Sequence, residues 1–283
     1  MAKKRKRKEK RPAVIIRLCW RWGYHPGRVM REVLEWAEVL VVAGSLAALI
    51  MTFVTVRMHV PTESMVPTIQ MGDSFFVDRI TYYFREPQPG DIVVFRHTDA
   101  VYVKSVIEGS LADQAGVIPG ERMVQIGSIP VYTTAFTEGQ LAALGDGVLL
   151  YLYTDTGAQY VLGEKPEGAS TLEDLGIVVR EKRIRYVKRL IAVGGQTVQI
   201  IDGDVYVDGE PLEGTAFDRT YTSNSAYFNF GIEPTVVPEG KYFVLGDNST
   251  NSFDSRYWGF VDESDFIGVP YLRVWPLNRF GLM

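Results

Sequence analysis

Cysteine occurs once in the 283 residues, at Cys19, so no intramolecular disulfide framework holds this chain together. Histidine is nearly as scarce: His25, His59 and His97 are scattered, no Cys/His cluster joins them, and neither a structural zinc nor a histidine-rich metal site is expected. With no metal or other cofactor indicated, any chemistry falls to hydroxyls, carboxylates and amines. Nor is the chain short of apolar residues or overloaded with them. At 46% hydrophobic and 23% charged it reads as neither disordered nor multi-spanning.

The most telling local absence is charge between Val39 and Val56, where VLVVAGSLAALIMTFVTV runs for eighteen residues without an ionisable group. That is the short end of what crosses about 30 Å of hydrocarbon as a helix. Trp36 and Arg57 flank it as interface anchors. Residues 1–38 carry twelve Lys or Arg against four Glu, a net of +8, while the whole chain has a net charge of -4. The excess of basic residues, including the run KKRKRKEKR, predicts a cytoplasmic N-terminal segment over 1–38, a transmembrane helix over 39–56, and everything after Arg57 outside. A cleaved signal peptide, a buried core helix and a nucleic-acid patch are the competing readings. The long charged leader without a small-x-small site opposes the first. The adjoining apolar span makes topology a better account of the basic run than nucleic acid, so the expected partner is a lipid bilayer.

Beyond the span, short apolar runs bounded by turn signals read as strands: Asp73 to Arg79, Asp91 to Arg96 after Gln88-Pro89-Gly90, Ile184 to Val193, Thr197 to Ile201, Val205 to Val207 and Tyr242 to Leu245. They predict a mostly antiparallel β domain. Residues 98–182 differ in texture. There Val101 to Ile107 reads as a strand, Ser110 as the N-cap and Gly116 as the C′ glycine of a very short helix, and Pro119-Gly120 as a turn before the strand Arg122 to Ile126. Thr133 to Leu144 follows as a helix, with strands over Val148 to Tyr153 and Gln159 to Leu162. This stretch, GSLADQAGVIPGERMVQIGSIPV in particular, resembles a bacterial PDZ domain. The resemblance implies an inserted α+β module that binds an extended peptide or free C-terminus, with Leu175-Gly176-Ile177 as its carboxylate loop in circularly permuted order. The alternative is a rigid β-rich insertion that only shapes access to the main domain.

The octapeptide Pro61-Thr62-Glu63-Ser64-Met65-Val66-Pro67-Thr68 lies a few residues past the apolar span. Its two prolines fix their own φ and push their predecessors to extended geometry, which holds Ser64 on a stiff backbone. Taken alone, Ser64 is as readily an ordinary loop serine. Lys188 sits in Arg185-Tyr186-Val187-Lys188-Arg189-Leu190, and strand alternation puts Ile184, Tyr186, Lys188 and Leu190 on one mostly apolar face. Desolvation there lowers an amine's pKa enough to make it a base near neutrality. The opposing reading is an edge lysine snorkelling to water. A third segment, Gly246 to Val261, is crowded with short polar side chains that order a loop.

These blocks, together with Pro89-Gly90-Asp91-Ile92-Val93-Val94-Phe95, resemble in order and chemistry the type I signal peptidases, over residues of about 39–97 and 183–275. The resemblance implies a mainly β fold with one N-terminal transmembrane helix. It implies a discontinuous antiparallel catalytic domain over 57–97 and 183–283, interrupted by the PDZ-like insertion at 98–182. It implies a membrane-bound serine endopeptidase of the bacterial cytoplasmic membrane that cuts signal peptides from exported preproteins after Ala-x-Ala. Ser64 is then the nucleophile and Lys188 the general base; the Ser64 N–H and the Thr62 hydroxyl hold the oxyanion; Ser252 orients the lysine; Asp254 and Arg256 brace the loop. Val60, Pro61, Met65, Ile69, Tyr186 and Val187 line pockets for small substrate residues. Glu63 stands where the family often has glycine, placing a charge beside the cleft. Two other functions compete: a Ser-Lys protease of the self-cleaving repressor type, which the membrane span opposes, and an inactive membrane-tethered PDZ scaffold, which retention of Ser64, Lys188 and Ser252 opposes.

Overall fold

The chain enters its structure through two helices. In the computed structural model of the protein, which describes residues 13–221 and 230–283, α1 (Val14–Arg21) turns back through Gly23 to the Pro26-Gly27 pair that opens α2 (Arg28–Leu49). The basic run at residues 3–11 lies outside the described residues. The N–H groups of Val14 and Ile15 at the start of α1 donate to the Glu38 carboxylate at 3.0 and 2.7 Å, satisfying two of the donors that a helix start leaves free. Glu32 and Glu35 sit four residues beyond Arg28 and Arg31, and each pair forms an ion pair. α2 runs on as a π-turn over Ile50–Val54, so the predicted span belongs to a longer helix that begins at Arg28. The helix ends where β-branched Thr55 and Val56 favour extended backbone. Over Arg28–Val54 it is apolar enough to cross a membrane, with a mean hydropathy of 2.2 in its best window and none of that window buried in protein.

Residues 57–283 form a second unit built almost wholly of antiparallel strands. β1 (Thr55–His59) and β2 (Ser74–Asp78) flank the Ser64 segment, and β3 (Ile92–Val106) leads into residues 98–182, the stretch that the sequence reading takes as an insertion. There follow α3 (Leu111–Gln114), β4 (Arg122–Ile126), β5 (Ile129–Pro130), α4 (Thr134–Ala143), β6 (Leu149–Thr154) and β7 (Gln159–Glu164). The chain returns on β8 (Ile177–Val193). It then makes β9 (Thr197–Ile201), β10 (Asp204–Val207), β11 (Glu210–Pro211), β12 (Thr235–Val236), β13 (Lys241–Leu245), α5 (Ser255–Trp258), β14 (Val261–Asp262), β15 (Phe266–Trp275) and β16 (Gly281–Leu282). The main sheet runs β1-β2-β15-β3-β4-β6-β7, with β8 paired to β3 and β13; a smaller sheet runs β11-β10-β9-β12.

Two strands are far longer than their sequence signals. β3 and β8 pair from Ile92↔Arg189 to Val106↔Ile177, so the insertion is carried on the same ribbon that crosses the main domain. Its own core gathers Met123, Ile126, Leu141, Leu150 and Leu152, all 1% exposed or less. At about 1.5–3 kcal/mol for each fully buried large apolar side chain, such a cluster holds the module in one shape. A second core packs Ile191, Phe243 and Leu245, and a third Val93, Phe95, Leu190 and Trp258, on either side of β8 and β13.

Within the insertion, Ser110 caps α3 by accepting from the Asp113 N–H at 3.2 Å, and Gly116 lies just past the helix with φ 75°. Thr133 caps α4 in the same way, accepting from Phe136 N–H at 3.0 Å. Gly176 has φ 85°, and a Cβ there would come within 1.9 Å of Ser110 Oγ, so only glycine fits. The expected carboxylate loop is altered by this turn. The N–H groups of Leu175 and Ile177 both donate to Leu172 O and that of Gly176 to Glu173 O, while the Leu175 and Ile177 side chains are buried. The three backbone donors that a peptide carboxylate would need are spent inside the turn.

Candidate active site

The proline-fixed octapeptide closes on itself. Val66 N–H donates to Glu63 O and Ile69 N–H to Met65 O, which makes a tight turn whose apolar residues Met65 and Ile69 are fully buried. Ser64 is held at the turn by its own carbonyl, which accepts from Asn248 N–H at 3.0 Å, and by Asn248 Nδ2 donating to Glu63 O at 3.1 Å. Its hydroxyl lies 3.4 Å from Thr62 Oγ1. Its backbone N–H has no protein acceptor among the described residues, so that donor is free for an oxygen arriving in the cleft. The Glu63 side chain is exposed, so its charge stands in solvent and not among the buried groups of the site.

Lys188 reaches the same place from β8, where Val93↔Lys188 pairing sets its register. The side chain is 2% exposed, and Nζ donates to Ser252 Oγ at 3.0 Å. Burial pushes the amine down to about 8, against a partial upward pull from Asp254 and a further downward push from Arg256. The carboxylates nearby do not rescue the ammonium because each is already committed to arginine. Asp254 accepts Arg256 Nε at 2.9 Å and Nη2 at 3.0 Å. Asp247 accepts Arg189 Nε at 2.8 Å and Nη2 at 2.6 Å, and Arg219 Nη2 at 3.1 Å. Desolvation therefore dominates.

Gly246 explains how the Ser252 loop comes so close. A Cβ there would stand 2.1 Å from Ser252 Oγ and 2.5 Å from the Ser64 carbonyl oxygen, so the loop and the Ser64 turn meet over a bare α-carbon. Asp254 fixes the loop further by accepting the Gly246 N–H at 3.0 Å, and Ser255 Oγ accepts Val244 N–H at 2.9 Å. Arg256 Nη2 holds the Ser249 carbonyl at 2.9 Å.

A cleft of about 250 Å³ runs past these groups, lined by Met58, Val60, Pro61, Thr62, Ser64 and Lys188 among others. Of the six residues expected to form substrate pockets, Val60, Pro61, Tyr186 and Val187 line it, joined by Met58, Ile184 and Phe253. Met65 and Ile69 do not line it; they are wholly buried in the turn behind the serine. His97, the one buried histidine, packs its ring on Trp258 and against Tyr186, with centroids 4.0 and 5.3 Å apart, and burial with the Arg183 charge pushes it down to about 4. Its Nε2 has no hydrogen-bond partner, so it forms no Ser-His pair.

Sequence reasoning passed over a further buried carboxylate beside the site, Asp247. Asp247 ties together three segments: β8 through Arg189, the Ser64 turn through the Thr68 hydroxyl, and the loop carrying Arg219. The available signal was the strand alternation itself, which puts Arg189 on the face opposite Lys188, where a buried arginine demands a carboxylate. Among the described residues there is no His/Cys/Asp/Glu group suited to a metal ion.

Comparison with known proteins gives one family. The model described as signal peptidase, peptidase S26, matches residues 33–110 and 157–275, leaving 111–156 between them unmatched. A signal peptidase I of Mycobacterium tuberculosis is 31% identical over 88% of this chain and 74% of its own length. A probable signal peptidase I-2 of Synechocystis sp. is 28% identical over 88% of this chain and 77% of its own, and a signal peptidase I of Leptolyngbya laminosa 28% over 83% and 76%.

Proposed function

The chain belongs to the peptidase S26 family of signal peptidases, membrane serine endopeptidases that cleave signal peptides, and on that premise we propose that Ser64 and Lys188 are its catalytic pair. The observation that carries this reading is a lysine 2% exposed, lowered to about 8, lining the same cleft as the serine. Ser252 accepts one Nζ–H, which aims the amine and leaves its lone pair for another hydroxyl. When a peptide enters, neutral Lys188 takes the Ser64 proton as Oγ attacks the scissile carbonyl carbon. The negative charge on the carbonyl oxygen meets the free Ser64 N–H and the Thr62 hydroxyl. Removing one such donor costs a factor of roughly 10²–10³. The lysine ammonium returns its proton to the departing amine, and a water deprotonated by the same lysine then releases the acyl group from Ser64. A hydroxyl separation of 3.4 Å between Thr62 and Ser64 is of the loose kind that tightens when substrate fills the site.

Substrate choice follows from the walls. Val60, Pro61, Tyr186 and Val187 make a shallow apolar lining that accepts small residues and supports cleavage after Ala-x-Ala. The basic residues before the apolar helix support a cytoplasmic N-terminus, with the catalytic unit on the outer face of the cytoplasmic membrane, where a tethered signal peptide presents its cleavage site. A peptide partner for the insertion rests on sequence resemblance alone, since the donors of its 175–177 turn are occupied. The direct test incubates the detergent-solubilised full chain with a preprotein bearing an Ala-x-Ala site and sequences the new N-terminus. Cleavage after the second alanine, lost in Ser64→Ala and in Lys188→Ala, is expected; cleavage that persists in both excludes the pair.

A further inference from the structure

An aromatic seam joins the insertion to the catalytic loop. Tyr132, between β5 and α4, packs edge-on against Phe253 at 5.1 Å and against Tyr257 at 6.2 Å between ring centroids. Phe253 in turn lies 5.2 Å from Tyr257. Phe253 is the neighbour of Ser252 in the chain, and its ring lines the cleft. A side chain of the insertion therefore packs on the chain neighbour of the residue whose hydroxyl holds Lys188.

Tyr132 is itself held firmly. Val131 before it is bonded through its N–H to Val124 O, and Thr133 after it caps α4. The Thr134 N–H donates to Glu181 Oε1 at 2.8 Å, while Glu181 Oε2 accepts the Thr98 hydroxyl at 2.7 Å. Phe136 on the first turn of α4 packs tilted against Tyr132, with ring centroids 5.2 Å apart. The helix start, both strands of the ribbon and the tyrosine thus form one fixed body. On the other side, the loop from Gly246 to Asp254 is held by polar ties, among them the Gly246 N–H to Asp254 and Arg256 to the Ser249 carbonyl.

We propose that Tyr132 is a positioning residue of the catalytic reaction: the insertion, through this ring, sets where Ser252 stands and so how Lys188 is aimed at Ser64. The inference rests on the Ser64-Lys188 reading and adds to it a role for the insertion. The Lys188 Nζ to Ser252 Oγ distance is 3.0 Å, and a hydrogen bond is lost once it lengthens by well under 1 Å. Misplacement of about 1 Å at a reacting group costs up to roughly 10²-fold in rate. Edge-to-face ring contacts hold direction as well as distance, which suits a ring to this task.

A double-mutant cycle tests it on the full chain in detergent, with kcat and KM measured for Tyr132→Ala, Tyr132→Phe, Ser252→Ala and the Tyr132→Ala/Ser252→Ala double variant. Tyr132→Phe keeps the ring and is expected to keep the rate. Tyr132→Ala is expected to lower kcat about tenfold with KM nearly unchanged, and to have no further effect once Ser252 is already alanine. If Tyr132→Ala fails to fold, Tyr132→Leu, which retains the apolar volume without the ring edges, takes its place in the cycle. Tyr132 and Ser252 effects that multiply independently, or a Tyr132→Ala enzyme with wild-type kcat, overturn the inference while leaving the catalytic pair intact. A Ser252→Ala enzyme of normal rate also overturns the inference, while loss of cleavage in Ser64→Ala and Lys188→Ala tests the pair separately.

Discussion

Replacing Lys188 by methionine should abolish cleavage and at the same time stabilise the protein, and the size of the second effect follows from the burial of the amine. The side chain is 2% exposed, and its pKa falls from 10.5 to about 8. Because the folded value lies below the unfolded one, the native state binds the proton less readily than the unfolded chain does. Below about pH 8 the full penalty for burying this group is present. Between about 8 and 10.5 the native lysine is neutral while the unfolded one is still charged, so stability rises with pH and the penalty fades. A shift of that size corresponds to about 3 kcal/mol at neutrality, at about 1.4 kcal/mol for each unit. Methionine has a similar length and no charge to desolvate, but it leaves Ser252 without its donor, at a cost of about 1 kcal/mol. A net gain of about 2 kcal/mol at pH 7 is expected, which for a unit of this size raises the melting temperature by roughly 4–8 °C. The assay is thermal unfolding of the wild-type and Lys188→Met full chains in the same detergent at pH 7 and at pH 10.5. A variant no more stable than wild type at pH 7, or one whose gain is equal at both pH values, refutes the claim that the lysine is held at an energetic cost.

The catalytic rate should carry the same signature. With Lys188 neutral in the active form, kcat/KM rises with pH up to a limb near 8, falling about tenfold for each unit below it; a profile flat from pH 6 to 9 argues against a lysine base. Gly246→Ala forces a methyl to within 2.1 Å of Ser252 Oγ, so kcat should fall by at least tenfold and stability by roughly 1–3 kcal/mol; wild-type kinetics would show that the loop need not approach Ser64 so closely. Asp254→Asn leaves the Arg256 charge, 1% exposed, without its carboxylate, and denaturant unfolding should show a loss of roughly 3–5 kcal/mol. A loss under about 1 kcal/mol would mean that the Ser249 and Ser252 carbonyls suffice to hold the guanidinium.

Much of this site was readable before any coordinates because its chemistry is local in sequence. The stiff Pro61–Pro67 frame, the alternation that puts Lys188 on an inward face, and the polar loop at 246–256 are patterns of a few residues each. The short strands of the main domain, the caps of α3 at Ser110 and Gly116, and a helix near Thr133 to Leu144 were legible for the same reason. What was not legible depends on distant partners. Met65 and Ile69 are as apolar as Val60, and only packing decides that they fill the core behind the serine and do not line the cleft. The Asp247 cluster joins Thr68, Arg189 and Arg219, three segments that no periodicity links. The carboxylate loop expected at 175–177 failed on backbone hydrogen bonds, which a motif of side chains cannot reveal.

The placement of the insertion follows from the ribbon that carries it. Thr98 and Arg183 already face each other across β3 and β8, so a module inserted between them closes a gap no wider than a hairpin turn, and its length adds little to the entropy of folding the main domain. The pairing from Ile92↔Arg189 to Thr98↔Arg183 sets Lys188 on the cleft face, and a slip of one residue would turn it to the other side. The ladder breaks its register between Thr98 and Ala100, which leaves Asp99 as the extra residue of a bulge. That break separates the register of the insertion from that of the catalytic strands. Irregular pairing beyond Ala100, such as the second shift between Val103 and Ser105, therefore does not reach Lys188. The bulge also turns the Asp99 side chain into the lining of the cleft, opposite in sense to the apolar walls around it. The same residue thus carries the register break and lines the cleft. This is why Ser64 and Lys188 can lie on either side of residues 98–182 and still line one cleft.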